Sequence, residues 1–253
     1  GHHVATHNNS SLTQYWKFRR LLLDQESYAP DGSVAIVGGD NYGAFWTQGS
    51  EHVEISDCVI RNFVGSSPNL TVWSMYGARN TRMHHTRIEN VSSGPYIKGS
   101  QASGWNAPME FDHNFVKNTR YAFLVPNVVG EVSGTPYGDI YQNVFVSQSG
   151  YIFGFRSPGA PSSDNPRSLR VVNNTLVGET GVTLIGQSDG LAGVWTWGDI
   201  TTSTLGGTEV YWRNNIINTP GTVGRYMAGT QNTDDTALAR LNADYNLISS
   251  NFE

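Results

Sequence analysis

Met109-Glu110-Phe111-Asp112-His113-Asn114-Phe115-Val116 is the stretch that decides the fold: apolar, any, apolar, any, any, Asn, any, apolar. Leu169-Arg170-Val171-Val172-Asn173-Asn174-Thr175-Leu176 repeats it, as do Val210-Tyr211-Trp212-Arg213-Asn214-Asn215-Ile216-Ile217 and Leu241-Asn242-Ala243-Asp244-Tyr245-Asn246-Leu247-Ile248. Asn143 anchors a weaker copy that keeps Ile140 and Phe145. Two earlier copies, Val53 to Ile60 and Thr81 to Ile88, keep the apolar slots and place Cys58 and Thr86 where the asparagine stands. Trp16-Lys17-Phe18-Arg19-Arg20-Leu21 is a degenerate first copy. The anchors at 21, 58, 86, 114, 143, 174, 215 and 246 are spaced by 37, 28, 28, 29, 31, 41 and 31 residues. Apolar residues two apart inside each copy point to strands rather than helices. The long steps read as ordinary repeats carrying insertions.

A second element lies between anchors: Gly, apolar, any, apolar, any, Gly. Gly181 to Gly186 is the cleanest copy, and Gly224 to Gly229, Gly150 to Phe153 and Ser33 to Gly38 are variants. Each repeat therefore holds about three short strands separated by bends, with glycine easing the corners. No such repeat can bury its apolar side alone; stacking repeats about 4.8 Å apart buries alternate side chains in one continuous core. An asparagine at one slot then stacks into a ladder, its amide bonding to the turn backbone and to the next asparagine. Asn62, Asn90 and Asn118 form a second column four residues further on. The expectation is an all-β, single-stranded right-handed parallel β-helix of about eight coils, with residues 1–253 forming one domain that is a portion of a longer chain.

Composition agrees. The chain has 28 Gly and 22 Asn but only 15% charged residues, against roughly 25% in ordinary domains. With three lysines, an all-helical bundle is disfavoured. No apolar run is long enough for a membrane-spanning helix. The net charge of −5, with scattered basic residues, leaves no footprint for nucleic acid. Low lysine with abundant Asn, Ser, Thr and Gly leads us to expect a secreted or cell-surface protein. Neither an N-terminal capping helix nor a C-terminal cap is legible, so a homo-oligomer partner or further domains are expected over the coil ends.

Along nearly its whole length the chain resembles the pectate-lyase-like superfamily of right-handed β-helices. The resemblance is carried by Val172 to Leu176, Arg213 to Ile217 and Asp244 to Leu247, phrases similar to those of bacterial members. It implies an extended polysaccharide lying along one parallel sheet, here the one with the glycine-flanked strands. The alternation assigns Tyr76, Tyr96 and Lys98 outward on that sheet, with Arg79, Asn127, Arg156 and Gln187 in or near the following bend.

An inverting glycoside hydrolase needs two carboxyl groups roughly 6.5–9.5 Å apart. No Asp or Glu occupies these outward positions; only Asp40 and Asp189 come near, in loops. A lyase acting on uronic acids instead neutralises a carboxylate, removes the C5 proton and protonates the leaving oxygen, which cations and a tyrosine can do. Lys98 is the candidate base, Arg156 the neutraliser and Tyr96 the third catalytic residue. Tyr76, Arg79, Asn127, Trp195 and Trp197 are candidate substrate contacts, the two tryptophans as a stacking wall for sugar rings. Gly150 to Arg156 is similar to the arginine-bearing coil of the chondroitinase B and alginate lyase group. That group's lysine position is occupied here by Val125, Pro126 and Asn127, and its calcium-binding acids have no counterpart near Lys98. Calcium is the one cofactor the chemistry invites, with Asp234 and Asp235 as contacts. The rival to the enzyme is a non-catalytic surface, adhesin or receptor-binding module using the cylinder as a rod.

Other residues read as structure. Glu54, Arg82, Glu110, Asp139 and Arg170 form an outward column of mixed charge, as expected for a solvated ladder. Cys58, the only cysteine, falls in the ladder slot and is expected to be buried and inert. Tyr42, Phe45, Trp46 and Trp105 are placed in connections, whereas Trp16 and Trp212 take inward slots. His84, His85 and the Asp112-His113 pair invite a metal reading. Adjacent residues on a strand point to opposite faces, so His84 and His85 are not expected to meet on one ion.

Overall fold

In the computed structural model, residues 4–7, 15–28, 34–36, 43–48, 50–63, 71–76, 80–98, 109–127, 138–147, 151–155, 167–178, 208–218 and 241–249 are described. Every regular element among them is a strand. The first apolar stretch of each copy forms one strand of an eight-stranded parallel sheet. In order these are Trp16–Arg19, Val53–Ser56, Thr81–His84, Met109–Asp112, Gly138–Tyr141, Arg167–Val172, Thr208–Arg213 and Leu241–Asp244. Register follows the repeat: Thr81 lies opposite Met109, Met109 opposite Gly138, and Met83 opposite Phe111.

After each anchor the chain enters a second, twelve-stranded sheet. Val59–Arg61 pairs in parallel with the start of Arg87–Lys98, Phe115–Asn127 with Val144–Ser147, and Thr175–Gly178 with Ile216–Asn218. Two long strands, Arg87–Lys98 and Phe115–Asn127, run on into a further parallel set with Thr71–Tyr76 and Tyr151–Phe155. All pairings in these two sheets are parallel, an arrangement compatible with a parallel β-helix.

Why the chain bends where it does is visible in the backbone. The residue before each anchor has a positive φ: Arg20, Asp57, His85, His113, Gln142, Asn173, Asn214 and Tyr245, all between 51° and 56°. None is glycine, so each left-handed residue is held by its surroundings. The His85 N–H donates to the Asp112 carbonyl, His113 to Tyr141, Asn173 to Arg213 and Asn214 to Asp244. The anchor then fixes the turn from inside. Asn143 Nδ2 donates to the Phe111 and Tyr141 carbonyls, and Asn174 Nδ2 to those of Ile140 and Val172. Each Oδ1 accepts from the preceding ladder residue, in an unbroken series from Thr86 through Asn114, Asn143, Asn174 and Asn215 to Asn246. A second corner follows at Asn62 and Asn90, again with positive φ, where Asn90 Nδ2 donates to Asn62 Oδ1 at 2.8 Å. The backbone of Asn118 lies within Phe115–Asn127.

The apolar slots build the core between the sheets. Ile55, Met83, Phe111, Ile140, Val171 and Trp212 form one buried file, and Ile60, Ile88, Val116, Phe145, Leu176 and Ile217 another. Burying each such side chain contributes about 1.5–3 kcal/mol. The Phe111 and Phe145 rings stack at 6.2 Å. Asn114, Asn143, Asn174 and Asn215 sit in the same core, and their complete hydrogen bonding makes that burial tolerable.

Three expectations change. Val34–Ile36, read as one of the glycine-flanked strands, pairs antiparallel with Glu26–Tyr28 in a small separate sheet. The strand that takes the expected place is Phe45–Gln48, parallel to Thr71–Tyr76 and to Val4–His7. Phe45 is therefore core rather than loop, and Trp46 is a half-buried strand residue. The tight alternation of Val34, Ala35 and Ile36 is equally good for a hairpin, and only pairing separates the two. Trp16 has the inward register, opposite Val53, but is 37% exposed because its strand is at the edge of its sheet. Trp212 is buried as expected.

Candidate functional site

Of the residues proposed for chemistry, the strand pairing brings three into one row. Lys98, the last residue of its strand, lies opposite Tyr76 on one side and Asn127 on the other. Adjacent strands are about 4.8 Å apart, so the row extends about 10 Å across the sheet. Tyr96 is two residues earlier on the same strand, opposite Ser74 and Leu124. Between Tyr96 and Lys98 the register shifts, because Phe115–Asn127 takes one residue more to cover the same distance. Pro126 lies inside that extra length. A proline has no N–H for the ladder, so a bulge is the expected place for it. Phe155, which immediately precedes Arg156, ends its strand opposite Val125. Arg156 itself, with Arg79, Trp195, Trp197 and the acids Asp40, Asp189, Asp234 and Asp235, lies outside the described residues.

The outer face of the eight-stranded sheet carries a column of opposite charges that pair with one another. Lys17 Nζ lies 2.8 Å from Glu54, Arg82 lies 3.4 Å from Glu110, and Arg170 grips Asp139 through two nitrogens. Arg82 also holds Asp112 through two parallel bonds of 2.8 Å. The Asp112 side chain is fully buried, which opposes its ionisation. The Arg82 and His113 hydrogen bonds outweigh burial and hold the carboxyl below its usual range. Glu54 is likewise lowered, chiefly by the Lys17 hydrogen bond. Tyr141 donates to Glu110 Oε2 at 3.1 Å, and its hydroxyl is pushed up to about 12 by burial and by the charges of Asp112 and Glu110. This column therefore forms a mutually neutralising ladder.

At the rim of that face the rings of His84 and His85 lie closer together than strict alternation of faces would place them. Their Nδ1 atoms are 2.8 Å apart. Alternation of faces holds only while the backbone stays extended, and His85 is the left-handed residue of its bend, with φ of 51°. His113 occupies the same bend position one repeat later, and its ring stacks on that of His85 at 4.9 Å and 8°. Carboxylates orient two of the three rings. His84 Nε2 faces Glu54 Oε1 at 3.3 Å, and His113 Nδ1 faces Asp112 Oδ2 at 2.7 Å. The sequence signal for this cluster was available: bend positions recur with the anchors, so 85 and 113 must stack.

Among the described residues, no group of three or more His, Cys, Asp or Glu is arranged to hold a metal ion, and no helix is long and apolar enough to cross a membrane. Cys58 is buried and free, its thiol pushed up mainly by burial, and Sγ donates to the Ser56 carbonyl at 3.1 Å. Comparison of the chain with protein-family models, with curated proteins and with solved structures finds no match in any of the three.

Proposed function

We propose that the chain winds as a right-handed parallel β-helix of about eight coils, of the pectate-lyase-like kind, and acts outside the cell on an extended acidic polysaccharide. The observation that carries this reading is the Tyr76–Lys98–Asn127 row across three neighbouring parallel strands. A polymer laid along stacked coils would meet a hydroxyl, an ammonium and an amide at strand spacing, donors suited to carboxylates and sugar hydroxyls.

The reaction is β-elimination. Lys98 takes the C5 proton of a uronate whose carboxylate is neutralised by Arg156. The C5 electron pair forms the C4–C5 double bond, the C4–O bond breaks, and Tyr96 delivers a proton to the departing oxygen. Arg79 and the Trp195 and Trp197 rings extend the binding surface, and calcium is the ion most suited to help neutralise the uronate.

The test is incubation with alginate, pectate and glycosaminoglycans, with and without calcium, following the ultraviolet absorbance of the unsaturated product. Product formation that Lys98→Ala and Arg156→Ala each abolish supports the reading. Silence on all substrates refutes catalysis. The paired charge column and the asparagine ladder favour a second reading, a non-catalytic rod, for which polymer binding without product is the expected result.

A further inference from the structure

The histidine rim has a geometry that the polysaccharide reading does not use. His84 Nε2 faces Glu54, an acceptor-only carboxylate held ionised by Lys17, so a neutral His84 ring carries its proton on Nε2 and has its lone pair on Nδ1. His84 Nδ1 lies 2.8 Å from His85 Nδ1. Two nitrogens bound at about 2.0–2.1 Å to one ion, in neighbouring positions at a right angle, lie about 2.9 Å apart, whereas tetrahedral positions need about 3.3 Å. The observed spacing therefore suits square-planar or tetragonal geometry.

A carboxylate behind a ligating imidazole is the usual second contact that fixes tautomer and ring direction, and Glu54 supplies it for His84. His113 lies plane-parallel against His85 and is itself tied to Asp112, which in turn is tied to Arg82. The bend thus restricts the ring of His85 from one side. His84 keeps 16% of its side chain exposed and His85 is exposed, leaving room for water in the other positions around an ion.

We infer that His84 and His85 form a two-imidazole chelate for a divalent transition ion of tetragonal preference, Cu²⁺ before Ni²⁺ or Zn²⁺, through their two Nδ1 atoms. Binding requires His85 to move its ring proton to Nε2, so that both Nδ1 atoms present lone pairs. The order of ions follows from the geometry and from the general rise of affinity toward copper. Hard cations such as Ca²⁺, which take oxygen ligands, are not held there.

The experiment is a Cu²⁺ titration of the metal-free chain by calorimetry and electron paramagnetic resonance, comparing wild type with His85→Asn and with His84→Gln. Asn is chosen because Asn173 and Asn214 hold the same left-handed bend position in other repeats, so the backbone should be kept. Circular dichroism checks this. The chain has other histidines, including His2 and His3, so the quantity read is a difference between proteins. Each variant should bind one Cu²⁺ fewer than wild type, or bind it at least tenfold more weakly, and should lose the signature of two coupled nitrogens. Glu54→Ala should weaken the same site by about 10–100-fold. Variants that take up copper with wild-type stoichiometry, affinity and spectrum overturn the inference, as does displacement of the ion by Ca²⁺. A result either way leaves the lyase assay unaffected, because none of these residues is in the Lys98 row.

Discussion

Asn143 and Asn174 share one oxygen: Asn174 Oδ1 accepts the backbone N–H of Asn143 and its side-chain Nδ2, each at 3.0 Å. The side chain of one repeat thus satisfies backbone and side chain of the repeat before, while its own Nδ2 ties down the carbonyls of Ile140 and Val172. The relationship recurs between Asn114 and Asn143, Asn174 and Asn215, and Asn215 and Asn246.

Removing a middle member should therefore be expensive. Asn174→Ala takes the side-chain partner from the buried backbone N–H of Asn143 and from the Ile140 and Val172 carbonyls, at about 1–3 kcal/mol for each group left unsatisfied. We expect a loss of about 3–5 kcal/mol in urea unfolding. Asn246→Ala, at a half-buried position with fewer bonds, should cost clearly less. Equal losses would show that the ladder acts only through local turn propensity.

The bend column offers a backbone test. Asn214 has a φ of 54° and is exposed, so Asn214→Gly should be near neutral while Asn214→Val should lose about 1–2 kcal/mol. Thermal unfolding resolves the pair, since 1 kcal/mol moves the midpoint by about 2–4 °C in a chain of this size.

Acid should act through Asp112. Its carboxyl is lowered in the folded chain from 3.8, so its contribution is present above about pH 4 and is lost as pH falls through the folded value. Arg82→Met leaves a buried carboxylate with one partner fewer. It should cost about 3 kcal/mol at neutral pH, the low end for a broken buried pair because Arg82 is itself 41% exposed. The same variant should unfold at higher pH than wild type in an acid titration followed by circular dichroism. An unchanged acid midpoint would remove Asp112 from the acid response.

Cys58 should be silent toward thiol reagents while the chain is folded. It is buried, and burial disfavours the reactive thiolate. Ellman's reagent should label it slowly in buffer and at once in denaturant. Rapid native labelling would mean that the early repeats open readily.

The repeat, the identity of its core files and the asparagine ladder were all legible in the chain, because a stacked fold writes the same requirement at the same slot each time. Phe111, Ile140 and Val171 are buried for the reason that made them recognisable. Pairing was legible only where the pattern was unique: Val34–Ile36 has strand chemistry but joins Glu26–Tyr28, while Phe45–Gln48 takes the expected neighbours.

The candidate sites divide along the same line. Lys98, Tyr76 and Asn127 were chosen separately, and their common row depends on a register shift at Pro126 that alternation does not contain. The meeting of His84 and His85 depends on a left-handed residue that is not glycine. Local pattern therefore determined what is inside and how often it repeats. Tertiary pairing decided which residues share an edge, because register and bend conformation in the two parallel sheets are settled by hydrogen bonds to strands that are 22 or more residues away in sequence.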